Sequence, residues 1–247
     1  MIKGIFSSEA SMRPKMAKLE VIANNLANIN STGFKKDLLF MQMLKDSASA
    51  QASGKGELDG LKINHATDFS DGVLNQTGNT FDLALQGRGF FVAETPQGMR
   101  YTRNGNFKLS ADGVLTTADG YPVMGAGGRI QLPQKERMQQ GVITVTDTGE
   151  IVLNKEIIAK LRIADFEDLG TLKKDQKSFF AASGAERILE GADTTTYVKQ
   201  GFLEGSNVEG IEEMIAMVEL TRGFETDQKI ITAQDSTIEK SLEVGRV

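Results

Sequence analysis

The chain has 247 residues, a net charge of −5, 40% hydrophobic residues and 25% charged residues, a balance typical of a soluble globular protein. It contains no cysteine and one histidine, which excludes disulfides, thiolate catalysis, cysteine-ligated metals and any cluster of histidine ligands. The negative charge argues against nucleic-acid binding, which depends on clustered Lys and Arg, and we expect no cofactor.

The N-terminal segment Met1–Ser7 lacks the apolar core of a cleaved signal peptide. No run of the sequence approaches the roughly 18 apolar residues of a membrane-spanning helix. We therefore expect a protein without a cleaved signal peptide and without membrane insertion.

A first helix is predicted near the N-terminus, because apolar residues recur at alternating spacings of four and three over residues 12–26. This spacing is typical of the seam of a coiled coil. The helix is predicted to end near Asn30, with Gly33 available for a left-handed cap. Pro14 predicts that the helix either starts just before it or kinks there. We assign residues 1–46 to an N-terminal helical arm.

The middle of the chain shows the two-residue period of β-strands. The alternating apolar residues are Phe81, Leu83, Leu85, Ile157, Ala159, Leu161 and Ile163. Asp112–Gly113 and Asp119–Gly120 lie between short strand-like runs and predict hairpin turns. Residues 47–60 are small, polar and partly glycine, which is typical of a flexible connector. We therefore predict a mainly antiparallel β body over residues 61–205.

The C-terminal segment, residues 206–247, carries the stronger helical pattern. Apolar residues recur there at intervals of seven: Met217, Phe224, Ile231 and Ile238. Ser206 followed by Glu209 fits a capping box. A helix from about Val208 to Glu243 would be roughly 54 Å long at about 1.5 Å per residue. Such a helix is too long for the β body alone to cover, which predicts a partner helix in this chain or in a neighbouring copy.

The two ends have opposite charge. Residues 1–45 hold seven basic and three acidic side chains, whereas residues 206–247 hold nine acidic and four basic ones. Because flanking charges help to select coiled-coil partners, we expect the two arms to lie against each other. The predicted fold class is α+β, with paired terminal helices forming a coiled-coil arm and an inserted antiparallel β domain.

Three candidate chemical sites have simpler structural explanations. His65 is the single imidazole, and no nucleophile stands at a spacing that gives triad geometry. Asp165 and Asp168 do not follow a calcium-loop spacing. The Gly87–Gly89 segment lacks the full glycine pattern of a phosphate loop. No catalytic, cofactor-binding or metal-binding residue is therefore predicted.

A group of asparagines near the end of the first helix requires an explanation, because asparagine is a mediocre helix former. They either cap the helix end or provide buried amides that fix the register between packed helices, and the sequence leaves both explanations open. Together with the apolar stripes they define the predicted polymer interface: Met16, Leu19, Ala23, Asn24, Asn25, Leu26, Asn28, Met217, Phe224, Ile231 and Ile238.

Three collinear segments resemble one known family. The stretch ANNLANINSTGFKK (Ala23–Lys36) resembles the N-terminal signature of flagellar rod and hook proteins, Gly87–Gly125 resembles their central β region, and Gly201–Met214 resembles the start of their C-terminal helix. The resemblance implies a non-enzymatic structural subunit of the bacterial flagellar basal-body rod. The short β body argues against the hook protein, and the ending Glu243–Val247 favours the proximal over the distal rod.

The resemblance also implies partners and a location. The partners would be other copies of the chain, neighbouring rod and hook axial proteins, and the flagellar type III export apparatus. The rod spans the periplasm, conducts exported subunits and transmits torque, and its subunits are exported without a cleaved signal peptide. Two other classes remain as alternatives: an enzyme acting on cell-wall glycan, and a β binding module tethered by a coiled coil.

Overall fold

A computed structural model of the chain describes residues 2–43, 61–133, 143–175, 178–184, 186–188 and 196–244. Within these ranges it does not describe the side chains of residues 2–11, 41–43, 61–62, 187–188, 238 and 241–244. The predicted connector, residues 47–60, lies outside the described residues.

The chain divides into two compact units, and it passes between them four times. The first, which we call the helical unit, contains residues 1–27, 37–68 and 208–247. The second, which we call the β unit, contains residues 28–36 and 69–207. The short loop Asn28–Lys36 therefore belongs to the β unit, although both of its flanks belong to the helical unit.

The described part of the helical unit contains two helices and one strand pair. Helix α1 spans Ile2–Ala27 and helix α2 spans Gly210–Val244. The start and end of α2 agree with the predicted helix to within two residues. Helix α1 does not start at Pro14 but continues through it toward the N-terminus, which leaves the kink of the two predicted alternatives, and it ends at Ala27, not near Asn30. Its earlier end follows from the turn that begins at Asn28, where the Ser31 N–H donates to the Asn28 carbonyl over 3.0 Å.

The two strands of this pair fall in two different predicted regions, the N-terminal helical arm (residues 1–46) and the β body (residues 61–205). Strand β1 (Asp37–Met43) falls in the predicted helical arm, and β2 (Leu61–Thr67) falls at the start of the predicted β body. They pair antiparallel from Asp37 opposite Thr67 to Met43 opposite Leu61. A strand partner satisfies the backbone groups of residues 37–43, and that partner is 18 or more positions away, so no local pattern reveals it.

The β unit is built from antiparallel pairs. Its described strands are β3 (Leu74–Gln76), β4 (Leu83–Gln86), β5 (Phe90–Thr95), β6 (Gly98–Thr102), β7 (Phe107–Leu109), β8 (Leu115–Thr117), β9 (Met124–Gly125), β10 (Gly128–Arg129), β11 (Ile143–Val145), β12 (Glu150–Leu153), β13 (Glu156–Lys160), β14 (Ile163–Asp165), β15 (Leu172–Lys174), β16 (Phe179–Ala182), β17 (Arg187–Ile188), β18 (Tyr197–Gln200) and β19 (Phe202–Glu204). The largest sheet has the order β15-β16-β6-β5-β14-β17, and a three-stranded sheet has the order β11-β12-β13. The structure thus confirms an α+β fold with an antiparallel β domain.

Strand β5 separates two hydrophobic cores. Phe90 and Val92 pack into one core with Phe166 and Phe180, whereas Phe91 packs into the other with Leu83, Leu85 and Phe107. Successive side chains of a strand point to opposite faces, so one strand supplies both cores. This is why four successive residues of β5, Phe90 to Ala93, are buried, although a strand with one solvated face would alternate.

The predicted turn at Asp112–Gly113 is confirmed: Gly113 has φ +79° and joins β7 to β8. The predicted inward alternation is confirmed for Leu83, Leu85, Leu161 and Ile163, which are buried. Ile157 is the exception and is 59% exposed. The register between β12 and β13 shifts so that Ile158 has no opposite residue, and such a bulge reverses the alternation on its N-terminal side.

Candidate functional site

Helices α1 and α2 contact each other within the helical unit. The Lys15 ammonium lies 2.6 Å from a carboxylate oxygen of Asp227, and it also donates to the Gly223 carbonyl over 3.5 Å. A basic residue of the N-terminal arm therefore pairs with an acidic residue of the C-terminal arm. The opposite net charges of the two arms predicted contacts of this kind.

An apolar groove of about 150 Å³ runs beside this ion pair. Its walls are three residues of α1 and three of α2: Lys15, Met16, Leu19, Leu220, Thr221 and Phe224. Met16 is 57% exposed at the groove, whereas Leu19, Leu220 and Phe224 are half-buried. The groove is thus only partly filled by the chain's own side chains, and we call it the interhelix groove.

A second apolar surface lies on α2 before the groove. Ile211, Met214, Ile215 and Val218 all have exposed side chains, and their spacings of three and four place them on one face of the helix. We call this set the exposed stripe. Four adjacent exposed large apolar side chains on one helix face are unusual for a surface that meets only water.

The predicted interface residues have different environments. Leu19, Leu26, Met217, Phe224 and Ile231 are half-buried. Met16, Ala23 and Asn24 are exposed, and Asn25 is buried. Asn28 belongs to the β unit, and the side chain of Ile238 lies outside the described part of the chain. The buried residues among the described side chains of α1 are Val21, Ile22 and Asn25. Of these three, the predicted interface contains only Asn25.

The side chain of Asn25, near the end of α1, forms two hydrogen bonds with the backbone of Asp37, the first residue of β1. Its Nδ2 donates to the Asp37 carbonyl over 3.0 Å, and its Oδ1 accepts from the Asp37 N–H over 2.9 Å. These two bonds imitate the pairing of a neighbouring strand and hold the start of β1 against the last turns of α1. Asn28 likewise serves a local turn, since its Oδ1 accepts from the Ser31 hydroxyl over 3.1 Å. Both amides have structural partners within a single copy.

The loop Asn28–Lys36 is fixed in the β unit by a close backbone approach at Gly33. The Gly33 N–H donates to the Glu204 carbonyl over 2.8 Å. Gly33 has φ +66°, and a Cβ there would lie 2.4 Å from the Asn104 nitrogen. Only glycine fits this position without moving the backbone.

Two residues further on, Lys35 enters a buried ionic network that sequence reasoning missed. The side chains of Lys35 and Glu204 are both fully buried, and their charged atoms lie 2.5 Å apart. Lys35 also donates to the Ser70 carbonyl over 2.6 Å, and Glu204 accepts from the Gly72 N–H over 3.0 Å. Burial lowers the pKa of Lys35 below its ordinary value, and the charge and hydrogen bond of Glu204 oppose this shift.

Arg103 completes the network. It lies 3.4 Å from the second carboxylate oxygen of Glu204, 3.3 Å from Asp71, and it donates to the Gly87 carbonyl over 2.7 Å. The network joins residues that are distant in sequence. The sequence contained one signal for this network. Lys35 and Glu204 lie in two of the segments that resemble the rod and hook family, Ala23–Lys36 and Gly201–Met214.

The other candidate residues lie in the β2 strand and in local contacts of the β unit. His65 is exposed on β2 opposite Leu39. Asp168 caps a short 3₁₀ helix (Leu169–Thr171) by accepting from the Gly170 N–H, and Asp165 pairs with Arg88 at 3.4 Å. Within the described ranges, no group of three or more His, Asp or Glu residues is arranged to hold a metal ion. None of the described helices is long and apolar enough to cross a membrane.

Three family descriptions match the chain in order. "Flagella basal body rod protein" matches residues 15–35, "Flagellar hook protein FlgE/F/G D1 domain" matches residues 84–153, and "Flagellar basal body rod FlgEFG protein C-terminal" matches residues 199–244.

Relatives match over the whole length. The basal-body rod protein FlgG of Bacillus subtilis is 30% identical over 100% of both chains. The rod protein FlgF of Rhizobium meliloti is 32% identical over 98% of both, and FlgG of Agrobacterium fabrum is 33% identical over 98% of this chain and 100% of its own. The chain belongs to the family of flagellar basal-body rod proteins.

The family segments meet in the buried ionic network of the β unit. Lys35 comes from the first matched segment, Arg103 from the second and Glu204 from the third. The interhelix groove is likewise formed by two matched segments, since residues 15–19 lie in the first and residues 220–224 in the third. The three central side chains of the network and all six residues of the groove therefore lie in segments that match the rod family.

Proposed function

We propose that this chain polymerises through its helical unit into the rod of the bacterial flagellar basal body. As a member of the rod family it is a structural protein of the flagellum, located in the basal body and assembling with other rod and hook axial proteins. The observation that carries the proposal is the set of collinear family matches over both helices and the β unit, on a chain whose relatives are rod proteins along their full length.

The proposed assembly element is a paired arm of α1 and α2 with coiled-coil character. The Lys15–Asp227 ion pair and the apolar contacts of Leu19, Leu220 and Phe224 support it. Met16 is exposed at the apolar interhelix groove, and this supports a further partner because contiguous exposed apolar surface marks interaction sites. In this proposal the predicted residues Met16, Leu19, Met217, Phe224, Ile231 and Ile238 face the same or a neighbouring copy.

The finer parts of the role belong to the same proposal. The subunit is exported by the flagellar type III apparatus, and it joins the part of the rod that spans the periplasm. The rod then transmits torque, which demands interlocked contacts between copies. FlgG of Bacillus subtilis and FlgF of Rhizobium meliloti match 98% or more of the chain, and within the rod we assign the chain to the proximal part.

Deletion of the gene tests this role directly. We expect non-motile cells whose purified basal bodies lack a complete rod, with both properties restored by the wild-type gene. Motile cells with complete rods after deletion would contradict the proposed function.

A substitution pair tests the assembly element. Ile231→Asp places a carboxylate on the half-buried face of α2, where the lost burial of an isoleucine costs about 1.5–3 kcal/mol at each contact. Lys229→Asp is the matched control, because Lys229 is exposed two residues away. We expect non-motile cells with a normal melting temperature of the purified subunit for Ile231→Asp, and motile cells for the control. Normal swimming of Ile231→Asp would remove Ile231 from the interface.

A further inference from the structure

Helix α2 has two apolar faces that point in roughly opposite directions. At about 100° per residue, the exposed stripe (Ile211, Met214, Ile215, Val218) covers one side of the helix. Leu220, Phe224 and Asp227, which contact α1, lie on the other side. Glu213, which is buried, shares that second side. Helix α1 therefore covers one face of α2, and the exposed stripe stays uncovered by it.

The exposed stripe cannot reach the interhelix groove of its own chain. Helix α2 runs from Gly210 to Val244 as one continuous helix, so the direction of Val218 relative to Leu220 is fixed. The predicted connector is a poor cover, because residues 47–60 contain a single large apolar side chain, Leu58. Each chain thus carries two separate apolar surfaces, the exposed stripe and the interhelix groove.

We propose that the exposed stripe of one copy docks into the interhelix groove of the next copy. The proposal rests on the proposed function, and it names the surfaces through which copies of the helical unit meet. Since the stripe and the groove are different surfaces, the contact is heterologous, and repetition of such a contact gives an open helical array.

Charge favours a second copy as the occupant. Glu212 and Glu219 are exposed and border the stripe on one side. Lys15 lines the groove, and Arg13 is exposed three residues before Met16 on the same face of α1. Lys15 already pairs with Asp227 in its own chain, so in this docking Arg13 is the cation that faces the acidic border of the stripe. Opposite charges around an apolar contact favour the correct partner and disfavour pairing of two stripes, whose acidic borders would repel.

Cysteine cross-linking tests this pairing cleanly, because the chain contains no cysteine. Met16→Cys marks the groove and Ile215→Cys marks the stripe. Both are introduced into one chain in a strain that lacks the native gene, and purified basal bodies are oxidised and examined by non-reducing gel electrophoresis. We expect a ladder of dimers, trimers and higher species, since each copy then carries both halves of the contact. Each single variant should stay monomeric, and a mixture of the two single variants should give dimers only.

The control replaces the stripe position by an equally exposed residue elsewhere. Ile157 on β13 is 59% exposed and Ile215 is 56% exposed, so Met16→Cys with Ile157→Cys should give no ladder. If one cysteine itself prevents rod assembly, Leu19→Cys with Val218→Cys probes the same contact.

The outcomes separate this pairing from the rod role. Complete rods without cross-links overturn the pairing and leave the proposed function intact. Dimers of Ile215→Cys alone show that two stripes meet, and a fast-migrating cross-linked monomer of the double variant shows contact within one chain. Either result also overturns the pairing. Complete rods in the deletion strain overturn the proposed function itself.

Discussion

Replacement of Lys35 by methionine isolates the strength of the buried ionic network. Methionine keeps an unbranched apolar side chain in a site where Lys35 is fully buried. The change removes the ammonium that lies 2.5 Å from Glu204 and 2.6 Å from the Ser70 carbonyl. Glu204 then retains Arg103 at 3.4 Å and the Gly72 N–H at 3.0 Å.

The expected loss is large compared with the stability of an ordinary domain. Removal of one partner of a buried ion pair costs about 3–5 kcal/mol, against a total unfolding free energy of about 5–15 kcal/mol. For a chain of this size each kcal/mol shifts the melting temperature by roughly 2–4 °C. Glu204→Gln should destabilise at least as much, because it leaves the Lys35 and Arg103 cations without their shared counter-charge.

The double variant Lys35→Met with Glu204→Gln provides the decisive comparison. It leaves neither an unpaired lysine nor an unpaired carboxylate, so its loss should be smaller than the sum of the two single losses. Distant, independent sites add within about 0.3–0.5 kcal/mol. A double loss equal to that sum within this margin would refute the coupling of Lys35 to Glu204.

Urea unfolding of the full chain, followed by tyrosine fluorescence, measures these differences in the β unit. The chain has no tryptophan, and its three tyrosines, Tyr101, Tyr121 and Tyr197, all lie in that unit. Arg129→Ala is the control, because the Arg129–Glu94 pair is exposed and should leave the unfolding midpoint close to wild type.

Three further changes test single positions. Gly33→Ala should destabilise by more than about 1 kcal/mol in the same urea assay, because φ is +66° and a Cβ would strike backbone; an unchanged midpoint would contradict the close approach. Asn25→Ala should cost about 1–3 kcal/mol in thermal melts of the monomer, because the backbone N–H and C=O of Asp37 lose their partners on the Asn25 side chain; a normal melting temperature with absent rods would instead place Asn25 at the polymer interface. Burial and the hydrogen bond to Glu186 raise the pKa of Tyr101 from 10.0 to about 12. The folded state therefore holds this proton more tightly, and the stabilisation is complete below about pH 10 and lost as pH rises through about 12. Tyrosinate absorbance should show one late ionisation that Tyr101→Phe removes, and simultaneous ionisation of all tyrosines would argue against it.

Local periodicity predicted both described helices and the strands around Leu83 and over residues 157–163. The seven-residue recurrence from Met217 to Ile231 predicted α2, and the alternation at Leu83 and Leu85 predicted a strand that buries both residues. The Asp112–Gly113 turn was predictable because a positive φ is a property of one residue and its neighbours. The single reversed position, Ile157, shows the limit of such patterns, since one bulge residue changes the face of the residues beside it.

The candidate site was predictable only in part. The apolar stripes pointed to helix contacts, and the structure brings Leu19 together with Leu220 and Phe224. The sequence did not distinguish the exposed stripe from the residues of α2 that face α1. Seven-residue spacing alone does not show which of two helix faces a partner covers. The asparagines had two explanations, and the choice for Asn25 required the position of Asp37 at the start of a strand.

The sequence by itself determined the α+β class, the two terminal helices, the opposite charges of the ends and the resemblance to rod proteins, because each of these is written in composition, short spacings or contiguous motifs. Only the tertiary structure decided which charges meet. Lys35 and Glu204 are 169 positions apart, and a fully buried charge is tolerated there because the fold brings its counter-charge and its backbone acceptors to the same place. Pairing at such distances depends on strand order and on the two cores formed around β5, which local propensities do not encode.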